Sequence, residues 1–210
     1  MKFGIIEKYD KPFEYIGAFM NLMLAYQFYN LWTNPQPTDI HKIGDFAVLI
    51  AFEFIMVHSG VFMSIMPKKW SLYFFIPFYG LFALVMNSSV SDNSILIIYC
   101  LVVFNRMRFA FTNVSLKLRA RSIAMSIFSV LIYFILVVGL TVSYEHLPNF
   151  GLTTSFLNSI NYYETINTSG VFSDHPHVPI CIGLIYYILL TLIEISIIDK
   201  DFLPSKTSNQ

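Results

Sequence analysis

Six apolar runs divide this chain of 210 residues, each close to the length a helix needs to cross a bilayer. About 20 residues, at 1.5 Å apiece, cover a hydrocarbon core of roughly 30 Å. The runs lie near 13–32, 44–66, 70–87, 94–110, 122–143 and 178–198. Pro12 suits the first turn of the first helix, and Pro77 predicts a kink in the third. Trp32 and Trp70 fall at run ends, where amphipathic rings favour the membrane interface. Hydrophobic residues make up 56% of the chain and charged ones 12%, too few to coat a soluble domain of this size. The fold expected is all-α, a polytopic integral membrane protein with a bundle of six transmembrane helices. It forms one domain over residues 1–203, with a loose tail at 204–210.

The basic residues test this count independently. Six crossings place both chain ends, the 2–3 loop and the 4–5 loop on one side. That side then holds Lys2, Lys8, Lys11, Lys68, Lys69, Arg106, Arg108, Lys117, Arg119, Arg121, Lys200 and Lys206. Lys42 stands alone opposite. The positive-inside rule makes the crowded side cytoplasmic, so the expected location is the plasma (cell inner) membrane with both termini inside. No small-x-small cleavage site follows the first run, which reads as a retained span. The formal net charge is zero, with no basic excess to attract nucleic acid.

Two connections stand out. The cytoplasmic stretch NRMRFAFTNVSLKLRAR is expected to lie along the membrane. Its Arg108, Lys117, Arg119 and Arg121 would meet anionic lipid head groups, at about 1 kcal/mol for each exposed cation. The plainer account is that these cations only fix topology. The external loop, 144–177, has no Lys or Arg and carries Glu145, His146, Glu164, Asp174, His175 and His177. It is long for a connection with no structure or role of its own.

Glu53 is the residue least expected where it stands. By helical rise it lies roughly 13 Å into the second run, near the bilayer centre. A carboxylate there costs about 2.5–3.5 kcal/mol, whereas Phe, Ile, Leu and Val each return about 0.3–0.6 kcal/mol. Eleven such residues share its run, so the helix inserts with Glu53 aboard. Burial favours the neutral acid. Phe46, Glu53, Gly60 and Ser64 recur on one face, which turns Glu53 toward another helix. His58 lies about 140° around the wheel, so a Glu53–His58 dyad requires a π-bulge near 58–60. Counted from the external face, Arg106, His58 and Glu194 lie at roughly 18, 21 and 24 Å. They are candidates to meet in the cytoplasmic half of the bundle with Asn105 nearby, unless Arg106 snorkels to the interface.

Three functional readings follow. In the first, the chain is a small transporter or proton-coupled module in which Glu53 exchanges a proton, His58 relays it, and Arg106 or Glu194 tunes it. The plain alternative is that Glu53 is a neutral hydrogen-bond donor fixing helix register. In the second, His41, His146, Asp174, His175 and His177 gather at the external face around a divalent metal in a membrane enzyme. In the third, the chain is a non-catalytic subunit, anchor or assembly factor. Its small pairs (Gly60/Ser64, Ala120/Ala124, Ser122/Ser126) would pack against a second copy or a membrane partner. No CxxC, HExxH, GxxxxGK[ST] or GxSxG occurs, and no organic cofactor is expected. Cys100 and Cys181 read as buried structural thiols. Ser59, Ser64, Ser126 and Ser129 read as helix hydrogen-bonders.

Overall fold

Each apolar run forms a helix. The computed structural model describes residues 10–90, 93–107, 116–166, 169–198 and 200, and among these there is no strand. Helix α1 is Asp10–Thr33, and α2, Ile40–Ile65, follows a 3-10 turn, Pro37–Asp39, closed by the Asp39 carboxylate on the Gln36 amide. Helix α3, Ile76–Asn87, is preceded by an α-helical turn, Lys68–Trp70, and a π-helical turn, Ser71–Phe75. The kink expected at Pro77 is realised as that π turn, because proline offers no N–H to the carbonyl one turn back. Helices α4, Ser94–Met107, and α5, Leu116–Val142, come next. The connection after α5 is built of short helices α6 (Thr154–Ser159), α7 (Tyr162–Ile166) and α8 (Val171–Asp174), and α9, His177–Ile197, closes the bundle.

Three helices are long and apolar enough to cross a membrane, in the stretches Pro37–Phe62, Leu116–Val142 and His177–Ile197. The other three expected spans do not reach that standard by length and apolarity. Glu14, Asn21, Gln27 and Asn30 dilute α1, while α3 and α4 are short.

The bundle is arranged around α9 and α2. Helix α9 buries most of its length against α1, α5 and α2, and α2 also meets α3 and α4. Phe28 sits over Gly183, where an added Cβ would lie 2.3 Å from the ring, so only glycine admits this approach of α1 to α9. The outer faces are apolar. On α5 the exposed residues Leu131, Ile135, Val138 and Val142 form one stripe, as do Tyr15, Phe19, Leu22, Tyr26 and Tyr29 on α1. That is the surface a bilayer, not water, stabilises.

Both described chain ends lie at one end of the bundle, because Arg121 joins Glu14 near the start of α1 to the Ile198 carbonyl just past α9. We call this the termini end. The 143–176 connection covers the other. There Trp32 donates from Nε1 to the Pro148 carbonyl at 3.1 Å, and the Gly151 amide donates to the Trp32 carbonyl at 2.9 Å. Trp32 is thus packed under the loop and buried, while Trp70 is exposed. Of the two thiols, Cys181 is buried as expected, but Cys100 is exposed on the apolar outside of α4.

Candidate functional site

Glu53, only 4% exposed, points into the bundle as the helical wheel requires. Its carboxylate accepts hydrogen bonds from two adjacent phenols of α9, Tyr186 at 2.7 Å on Oε1 and Tyr187 at 3.3 Å on Oε2. Neighbouring residues on a helix diverge by about 100°, which lets this pair straddle one carboxyl group. Tyr133 of α5 packs edge-on against Tyr186 and donates to the Ile50 carbonyl at 2.8 Å, completing an aromatic collar.

Below the collar, toward the termini end, lies a cavity of about 130 Å³. Helix α1 turns Glu14, Gly17, Asn21 and Leu24 toward it, α5 turns Arg121, Ser122, Ser126 and Ser129, and α9 turns Tyr187, Leu190 and Glu194. Apart from the adjacent Arg121 and Ser122, each set follows the three-to-four residue spacing of a single helix face. Ten residues of α1 separate the outer and inner members, so the cavity runs roughly 15 Å, from the chain ends to the Glu53 carboxylate at its inner limit. Arg121 and Glu14 form an ion pair of 2.6 Å near its outer limit, with both side chains largely buried. Asn21 donates to Glu194 Oε2 at 3.2 Å on the way in. Ser126 and Ser129 donate to carbonyls of their own helix, at 2.9 and 2.8 Å, and Ser59 does the same at 2.7 Å. Their hydroxyl protons are thereby committed, and their oxygens remain as acceptors.

Several expected site residues fall elsewhere. His58 does not join Glu53. Its helix is regular there, its Nδ1 lies 2.6 Å from the Phe54 carbonyl of the preceding turn, and its ring packs against Phe54 and Phe134. Glu194 does share the cavity with Glu53. The side chains of Asn105, Arg106 and Ser64, and all of Arg108, lie outside the described residues. Arg121 is the main correction: expected on the lipid surface, it is 6% exposed and inside the bundle. Lys117 and Arg119 are exposed, and Arg119 donates to the Ile65 carbonyl at the end of α2.

The histidines of the loop end do not assemble a metal centre. His41 and His146 are exposed, and His175 packs beside Tyr144 with His177 5.9 Å away, ring to ring. Among the described residues no group of three or more His, Cys, Asp or Glu is placed to hold an ion.

Glu14, Asn21, Tyr186 and Tyr187 were not singled out from the sequence. A depth comparison would have found the tyrosines, since Tyr186 lies about 12 Å into the sixth apolar run, close to the roughly 13 Å of Glu53 in the second. What the fold and the cavity define is an all-helical protein with membrane-compatible helices and a cavity between them that gathers three carboxyl groups, Glu14, Glu53 and Glu194. Compared with protein-family models, curated proteins and solved structures, the chain matches none.

Proposed function

We propose that this chain is a six-span, proton-linked transport module of the plasma (cell inner) membrane, with both termini cytoplasmic and Glu53 as the exchanging acid. What supports the reading is that Glu53 closes the inner end of a cavity shared with Glu14, Glu194 and Arg121. Ionisable groups at membrane depth are costly, and proton or ion pathways are where such costs are commonly accepted. His58 has no part in this reading, and Arg121 takes the place beside the acids first given to Arg106. The lipid contact of the 4–5 connection is carried by Lys117 and Arg119, which are exposed. Purified protein in liposomes carrying an internal pH-sensitive dye tests it. An imposed pH gradient should decay faster than in empty liposomes, and Glu53→Gln should remove the difference. Equal decay in wild type and Glu53→Gln would refute proton exchange at Glu53.

One observation favours a second reading. Tyr186 and Tyr187 occupy both Glu53 oxygens, which makes the carboxylate a tie between α2 and α9. In a non-catalytic subunit that tie alone is needed, and Glu53→Gln would keep its function while weakening the bundle.

A further inference from the structure

We propose that the cavity is a hydrated half-channel, which admits water and protons to Glu53 from the termini end only, and that α1 is its movable wall. The biological purpose of this route rests on the reading of Glu53 as an exchanging acid; its geometry does not. A cavity of about 130 Å³ has room for several waters, since about 10–15 Å³ of such space suffices for one. Its lining is largely apolar but carries Glu14, Asn21, Glu53, Arg121, Ser122 and Glu194, whose polar atoms give water partners along its length. On the far side of Glu53 the route is shut by the collar of Tyr186, Tyr187 and Tyr133, all buried.

The attachments of α1 differ between its two ends. At the loop end it is fixed by close packing: Phe28 is fully buried over Gly183 and 4.6 Å from Phe46, ring to ring. Trp32 is pinned there by Pro148, Gly151 and the edge-on ring of Phe150. Toward the termini end, where the buried α1 residues Gly17 and Ala18 are small, the ties include polar ones: the Glu14–Arg121 pair, the Asn21–Glu194 hydrogen bond, and the Thr191 hydroxyl 3.4 Å from the Ala18 carbonyl. Water can replace polar ties at small net cost, but not the loss of packed apolar surface. Helix α1 packs mainly along α9, and the cavity separates it from α5, so Glu14–Arg121 bridges a gap. Arg121 is held from a second direction by the Ile198 carbonyl at 2.5 Å. When the bridge opens, Arg121 stays with α5 and α9, and it is the outer half of α1 that swings about Phe28.

Accessibility of a buried thiol to a charged, membrane-impermeant methanethiosulfonate tests this in the full chain in liposomes. Cys100 and Cys181 are first replaced by Ser, and Ser129→Cys is introduced at the inner end. Reaction is expected from the termini side and not from the loop side. Glu14→Gln should speed it about tenfold or more, the response of a closed–open balance that has lost its latch. The swap of Glu14→Arg with Arg121→Glu should return it toward the slow rate. Asn21→Leu, a milder change should the charge variants fold poorly, should also speed it, whereas Trp32→Ala at the pinned end should not. Reaction from the loop side, no reaction in any variant, or equal acceleration by Trp32→Ala would each overturn the proposal. Sided labelling without proton flux would refute the Glu53 reading and leave the channel. Proton flux without sided labelling would do the reverse.

Discussion

Two buried phenols in this protein have opposite situations, and they should respond oppositely to loss of the hydroxyl. Tyr186 donates to Glu53 at 2.7 Å in the interior. Tyr186→Phe leaves a buried carboxylate short of a donor and should cost about 1–2 kcal/mol; Tyr187→Phe, at 3.3 Å, should cost less. Tyr162 of the 143–176 connection is equally buried, yet its hydroxyl has no partner among the described residues. Tyr162→Phe should therefore stabilise by about 1 kcal/mol, since it removes an unmet polar group while keeping the ring. Unfolding in detergent, followed for the three variants, ranks them. Alkaline pH adds an independent check. Burial, and then the nearby Tyr163 and Asp174, push the Tyr162 phenol above its ordinary value of 10.0. The folded loop thus binds this proton more tightly than the unfolded chain. Its contribution is full below about pH 10 and is lost as pH rises through the raised value. Proteolytic resistance of the loop should fall over that range in wild type, and less so in Tyr162→Phe. Equal falls would show that the phenol does not govern it. The inward aim of Glu53 was legible from sequence, because helical periodicity fixes a face. The role of Arg121 was not. A cation in a basic run looks the same whether it meets lipid or a carboxylate on a helix more than a hundred residues away.

At the scale of elements, helix positions were legible because an apolar run must become a helix wherever hydrocarbon leaves backbone groups no other partner. Packing between helices was less so. Gly183 is unremarkable in sequence, yet it decides how closely α1 can lie on α9. Gly183→Ala would place a methyl group 2.3 Å from the Phe28 ring, and that ring is walled in by Phe46 and Tyr187. Overpacking of this kind costs about 1–3 kcal/mol. Phe28→Leu should recover part of it in the double variant, and a cycle of melting temperatures would reveal the coupling. If the two effects simply add, the contact is not the reason for the glycine. The 143–176 connection follows the same pattern. Its length and lack of cations were visible, but its three short helices depend on apolar residues, Leu152, Leu157 and Tyr162, buried against the bundle. No periodicity in a polar loop announces that.

For the whole molecule, the parity of membrane crossings is constrained by one side chain. Among the described residues, only α2, α5 and α9 are long and apolar enough by themselves to cross, and an odd count would send the two chain ends to opposite sides. The proposed six-span arrangement needs an even count, and Arg121 supports it by contacting Glu14 near the start of α1 and the Ile198 carbonyl beyond α9. Helix α1 runs from those contacts to the Pro148–Gly151 turn at the other end, alongside α9. In the six-span proposal α1, which spans the same distance as its apolar neighbour and carries an exposed apolar stripe, crosses too. Helices α3 and α4 distinguish that proposal from a four-span alternative. Helix α2 ends at the termini end, where Arg119 of α5 reaches the Ile65 carbonyl. In the six-span proposal the α3–α4 hairpin starts from that side and its turn, near Ser89, lies at the far face. A cysteine at Ser89 should therefore react with an impermeant thiol reagent from the side opposite to one at Lys200. Reaction of both from the same side would make the hairpin re-entrant and the protein four-span. Reaction of Lys11→Cys and Lys200→Cys from opposite sides would break the parity that the Arg121 contacts support, and the half-channel to Glu53 with it.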